Sequence, residues 1–114
     1  MRIWDVPARS LCRQHLLGEH RELHGLWNIL VVHGESGGYS RHPETLRWVG
    51  KSLALFERHE MLVAEMIQRG YRHQSPLDRT LATGTRVQNV FIDSVAEQQR
   101  LLAEKPCPCP LIEP

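Results

Sequence analysis

The chain has 114 residues, with 14 Lys and Arg against 13 Asp and Glu, for a formal net charge of +1 at pH 7. That length holds one core but not a cofactor domain beside a substrate domain, and the charge balance excludes both a strongly basic nucleic-acid glove and an acidic solvating tail. Three cysteines leave no even disulfide set and no four-cysteine zinc site, although seven histidines could add ligands.

No apolar stretch approaches the ~20 residues of a membrane span. The opening MRIWDVPARS lacks the apolar h-region of a signal peptide, so a cytoplasmic, reducing location is expected.

Helical periodicity dominates and strand-like alternation is absent. The first helix is expected to open between Pro7 and Ser10, with proline in the first turn and Ser10 as N-cap, and to run through LCRQHLLGEHRELHGLWNILVV to His33-Gly34. The glycine-rich GESGGYS that follows cannot hold a helix. A second helix opens around His42-Pro43-Glu44-Thr45 and continues, with an irregularity at Gly50, to Arg69-Gly70. Residues 71 to about 90 read as loop, and a third helix spans roughly Phe91 to Lys105. The expected fold is all-α: a compact single domain over 1–105, with about three main helices and long loops, then a proline and cysteine tail, 106–114.

Some polar residues sit where apolar ones belong. At about 100° per residue, Cys12, Leu16, Leu23, Leu26, Trp27 and Leu30 form one stripe on the first helix. Glu19 falls inside that stripe, and His15 and Glu22 lie at its edge. On the second helix Trp48, Leu55, Phe56, Leu62, Val63, Met66 and Ile67 make the buried face, and His59 projects into its middle. A hydrogen bond from His59 to Glu19 would satisfy both. Four ionisable groups converging from two helices equally suit a lined pocket. A metal site is the weaker reading. His20 and His24 form an i,i+4 pair but lie on the far flank from His15, there is no H-E-x-x-H or C-x-x-C, and Cys107-Pro108-Cys109 is a weak signal. No metal and no cofactor are expected.

The runs HLLGEHRELHGLWNIL (15–30), HPETLRW (42–48) and LVAEMIQRGY (62–71) resemble the pyrimidine-dimer DNA glycosylase/AP lyase family of the phage endonuclease V type, over about residues 1 to 78. The resemblance implies an all-α fold whose N-terminus threads between helices to the active site. It also implies a monomer acting on double-stranded DNA that contains a lesion, with no membrane involvement. The family's nucleophile is the backbone α-amine of the first residue. It attacks the deoxyribose C1′, expels the base, and leaves a Schiff base that permits β-elimination of the 3′ phosphate.

Carried over residue by residue, the nucleophile falls on Met1 and the assisting glutamate on Glu22. Arg2, Arg21, Gln14 and His15 become substrate contacts, and His59 matches a polar contact, a glutamine in the phage member. Counting back from Glu22 without a gap lands on Met1, and Arg2 is too large for the usual removal of an initiator methionine. An α-amine has a pKa of about 8, below that of lysine, and nearby Arg2 and Arg21 would lower it further. A carboxylate at the margin of an apolar face should have a raised pKa, which suits Glu22 to giving and taking protons. Glu19 would act behind it or hold His59.

The chain departs from the phage member in three respects. It is less basic, Gly25 stands where that member has an arginine, and the C-terminal KPCPCPLIEP has no aromatic. Phosphate contacts must then come from a local patch, with Arg2, Arg21, Arg41 and Arg47 as candidates. Arg13 and Lys51 are read as ordinary solvated cations. Trp4, Tyr39 and Tyr71 could supply stacking surface, though Trp4 is better explained as core. The expected function is DNA repair on UV-type pyrimidine dimers or a related damaged base. The rivals are a non-catalytic helical DNA-binding module of the same fold and a His/Cys metal-binding protein.

Overall fold

Four helices frame the computed structural model, which describes residues 2–32, 41–73 and 75–105. They are α1 (Arg13–Trp27), α2 (Pro43–Leu46), α3 (Ser52–Gln68) and α4 (Val95–Ala103), and no strand occurs among the described residues. The three longer helices match the expected all-α frame. The expected stop at His33-Gly34, the glycine-rich segment and the tail 106–114 lie outside the described residues.

Four boundaries differ from expectation, three of them for a local reason visible in the backbone or a cap. Ala8–Ser10 form only a 3-10 turn, because Leu11 is extended (φ −84°, ψ 136°) and buried, so α1 starts at Arg13. Its far end loosens into a π-helical turn over Asn28–Val32. The expected second helix is two helices. Its chain turns at 47–51, where Gly50 adopts φ +74°, a left-handed conformation that suits glycine. Finally, α4 begins at Val95 because Ser94 caps it: Glu97 N donates to Ser94 Oγ at 3.1 Å.

The end of α3 is as its sequence demands. Gly70 (φ +82°) closes it with Gly70 N donating to Ile67 O at 2.9 Å and Tyr71 N donating to Met66 O at 2.9 Å, a Schellman pair. Its start has no side-chain cap. Instead Leu53 N and Ala54 N donate to Thr83 O and Thr85 O, at 2.7 and 3.1 Å, so the loop after α3 folds back to cap it.

The core lies between α1 and α3 and gathers Leu16, Leu23, Leu26 and Trp27 with Leu55, Phe56, Leu62 and Met66, closed by Trp48 and Leu102. Val63 is half-buried, and Ile67 is 62% exposed rather than on the buried face. No described helix is long and apolar enough to cross a membrane. Residues 2–6 run into this core: Ile3, Trp4 and Val6 are all buried, so the N-terminal arm is threaded between the helices as expected.

Candidate functional site

A non-helical arm inside a core has backbone N–H and C=O groups with no ladder partner, and each would be costly if left bare. Here buried side chains serve them. Ile3 N donates to Glu44 Oε1 at 3.1 Å, and Arg47 Nη2 donates to Ile3 O at 2.9 Å. The Trp4 backbone hydrogen-bonds to Glu19. Asp5 N donates to Gln98 Oε1 at 2.7 Å, and Arg58 Nη1 donates to Val6 O at 2.8 Å. One polar side chain from each of α1, α3 and α4, together with Glu44 of α2 and Arg47 beyond it, thus forms a sleeve around the arm.

The sleeve is cross-linked. Arg58 donates to both oxygens of Glu19, at 2.7 and 3.1 Å. Arg47 reaches Glu44, Asp5 and the Val90 carbonyl as well as Ile3. Burial pushes the Glu19 carboxyl above its ordinary value, and the Arg58 guanidinium draws it partly back. Such a network is fully satisfied only in one register, so it fixes the path of residues 3–6. Just before it, the Arg2 guanidinium lies 4.5 Å from the Trp4 ring centroid and pairs with Asp93 at 2.8 Å.

One face of α1 is turned outward. Gln14, Arg21 and Glu22 are exposed and fall within an arc of roughly 100°, with Gly18 and Gly25 between them. Among the described residues, a Cβ added at either glycine meets nothing within 4 Å, so neither is required by their packing. Helix-interior glycine costs up to about 1 kcal/mol relative to alanine. Two of them on this face leave a low strip of backbone that a ligand can approach closely. His15 flanks it, with Nδ1 3.0 Å from Cys12 Sγ and its ring edge-on to Trp4; burial and then Lys105 hold its pKa below the ordinary value.

The adjacent flank of α1 carries a second constellation. His20 and His24 meet His59 of α3 and His73, just beyond α3, with ring centroids 4.6 to 5.2 Å apart. His24 Nε2 and His59 Nε2 are 3.2 Å apart, while Nε2 of His20 and of His73 are buried with no hydrogen-bond partner among the described residues. A bare buried donor or acceptor costs about 1–3 kcal/mol. Burial, then the neighbouring histidines, push His20 down to about 4. Burial likewise lowers His24 and His59.

This arrangement corrects several expectations. The four polar groups read as one pocket belong to three places: Glu19 to the core, His59 to the histidine cluster, and His15 and Glu22 to the outward face of α1. Glu19 pairs with Arg58 and not with His59, and it holds the arm rather than standing behind Glu22. His59 is 0% exposed, and its ring faces other histidines. Arg47 is 6% exposed, with its donors committed to the sleeve. Glu22 is exposed instead of lying at the margin of the apolar face.

Arg2, Gln14, His15, Arg21 and Arg41 remain at least partly accessible. Lys51 is engaged by Gln88 at 2.8 Å, and Arg13 stacks over Tyr71. Trp4 is core. Met1, Tyr39, Cys107 and Cys109 lie outside the described residues. The reading that gave a metal little support also missed that His20 and His24 face two further histidines. Sequence reasoning overlooked Arg58, Glu44 and Gln98 too. For Arg58 a signal existed, since it sits three residues after Leu55 and four before Leu62 on the buried face.

Comparisons with curated proteins and with solved structures found no match. A family model does match, and it spans most of the chain. The model for pyrimidine dimer DNA glycosylases aligns with residues 1–79, which takes in the arm, α1, α2, α3 and the histidine that follows α3. With an all-α frame and a threaded N-terminal arm beside it, this chain belongs to the pyrimidine dimer DNA glycosylase family.

Proposed function

We propose that the protein is a lesion-specific DNA glycosylase with AP lyase activity, acting on pyrimidine dimers or a related damaged base through the α-amine of Met1. The observation that carries this reading is the family match, which runs from residue 1 and includes Arg2, Arg21 and Glu22. The sleeve around residues 3–6 supports it, because an amine used as a nucleophile must be held in position. The open face of α1, with Gln14, Arg21 and Glu22 around two glycines, suits a DNA backbone pressed against it.

In this mechanism the unprotonated amine donates its lone pair to C1′ as the bond from C1′ to the base breaks, and the base departs with that electron pair and a proton. The Glu22 carboxylate takes one N–H proton from the amine newly bonded to C1′ and passes it to O4′ as the C1′–O4′ bond breaks, which gives the protonated Schiff base. Glu22, again a carboxylate, removes a proton from C2′. The electron pair left behind forms the C2′–C3′ double bond as the 3′ phosphate leaves. Arg2 and Arg21 hold phosphates and favour the unprotonated amine.

The test is cleavage of UV-irradiated and abasic duplexes by the untagged wild type and by Glu22→Gln. On this reading the variant binds lesion DNA but loses on the order of 100-fold or more in strand cleavage. Undiminished cleavage by Glu22→Gln would remove Glu22 from the mechanism.

A further inference from the structure

We propose that His20, His24, His59 and His73 form a binding site for one divalent transition-metal ion of the zinc class, tying α1, α3 and the segment after α3 together. One ring nitrogen from each of the four lies within 4.8 Å of all the others. In a tetrahedral zinc site with Zn–N of about 2.0–2.1 Å, the ligand nitrogens are about 3.3 Å apart. His24 and His59 already have that separation, at 3.2 Å. The other nitrogens reach it by small side-chain rotations.

Two independent observations point to a ligand. First, Nε2 of His20 and Nε2 of His73 are buried and have no hydrogen-bond partner among the described residues, which one shared cation would satisfy together. Second, the carboxylate of Glu60 accepts from His59 Nδ1 at 3.0 Å. That contact fixes the tautomer whose Nε2 lone pair faces the cluster, the usual outer support of a metal-bound imidazole.

The donor set selects the metal. Four imidazoles with no carboxylate among them suit zinc, copper or nickel, not the hard cations magnesium and calcium, which take oxygen. Three of the rings are half-buried, so an ion can enter from solvent. Four protein ligands would leave no open position, so the site stabilises the fold and does not activate a water. The proposal is independent of the glycosylase reading: Glu22 is about 200° around α1 from His20.

The experiment uses the purified full chain, stripped with chelator and titrated with zinc chloride. Cobalt(II) serves as the spectroscopic probe. Expected are one equivalent per chain, a tetrahedral cobalt(II) visible spectrum, and a rise in unfolding temperature that chelator reverses. His73→Asn lies outside the helices and should keep the helical circular dichroism, yet lower zinc affinity on the order of 100-fold. Glu60→Ala should lower it by about 10-fold. The proposal is overturned if folded wild type takes up no zinc. It is equally overturned if the double variant His59→Asn/His73→Asn, folded by circular dichroism, binds zinc with wild-type stoichiometry and affinity. That result would put the ion elsewhere, for example on Cys107 and Cys109.

Discussion

Arg58 and Glu19 meet in the core, the guanidinium donating to both carboxylate oxygens at 2.7 and 3.1 Å while Nη1 also holds the Val6 carbonyl at 2.8 Å. Glu19, 2% exposed, also takes a hydrogen bond from the Trp4 backbone. The pair therefore joins α1 to α3 through the N-terminal arm. A carboxylate and a guanidinium in a small core look like catalytic groups, but here they satisfy a backbone that has no secondary structure of its own.

Removing one partner leaves the other charged and buried. Arg58→Met should cost about 3–5 kcal/mol of stability in urea denaturation. Arg58→Met combined with Glu19→Gln should recover part of that loss, because no uncompensated charge remains. Equal stability of the single and double variants would mean that Glu19 and Arg58 do not act as a pair.

Much of the frame was legible because it rests on local signals. Arg69-Gly70 stops α3, proline opens α2, and the Leu16–Leu23–Leu26 stripe marks the buried face of α1. What could not be read is what one element contributes to another. Gln98 and Glu44 look like surface residues in their own helices, and only the threaded arm makes them interior. His73 sits in a segment with no periodicity, so nothing local connects it to His20, 53 residues earlier. The break at Gly50 was visible as an irregularity. Its depth was not, because it depends on the loop that returns from Thr83 to Thr85.

That return packs two glycines against each other. A Cβ on Gly84 would stand 2.2 Å from Gly50 O, at φ +83°, whereas one on Gly50 meets nothing within 4 Å at φ +74°. Gly50→Ala should cost about 1–2 kcal/mol from backbone conformation alone. Gly84→Ala adds a clash with backbone and should cost at least about 3 kcal/mol. Thermal unfolding of the two variants ranks them, and a Gly84→Ala no worse than Gly50→Ala would contradict the packing.

On the open face of α1, stability and binding should move in opposite directions. Gly25→Ala has room among the described residues and should stabilise the protein by about 0.5–1 kcal/mol. If DNA is pressed against this strip, the same change weakens binding to a lesion-containing duplex several-fold. Unchanged affinity would argue that the strip is not a DNA surface.

Two of the four arginines read as phosphate partners, Arg21 and Arg47, should separate by experiment. Arg21 is exposed, so Arg21→Gln should leave stability within about 0.5 kcal/mol. It should make the slope of log affinity against log salt shallower by about 0.9, the increment for one phosphate left unneutralised. Arg47→Gln should leave Asp5 and Glu44 uncompensated in the core and destabilise by about 3–5 kcal/mol. If Arg47→Gln is stable and changes only the salt slope, the interior role assigned to Arg47 is wrong.

The most direct measurement is borohydride trapping. Untagged protein with a verified free N-terminus is incubated with an abasic or UV-irradiated duplex, reduced, digested and mapped by mass spectrometry. The proposed role of the arm, gripped at Ile3, Trp4, Asp5 and Val6, predicts a covalent DNA adduct on the Met1 α-amine, and its loss when that amine is acetylated. An adduct on a lysine side chain, or none while the DNA is still cleaved, would contradict it.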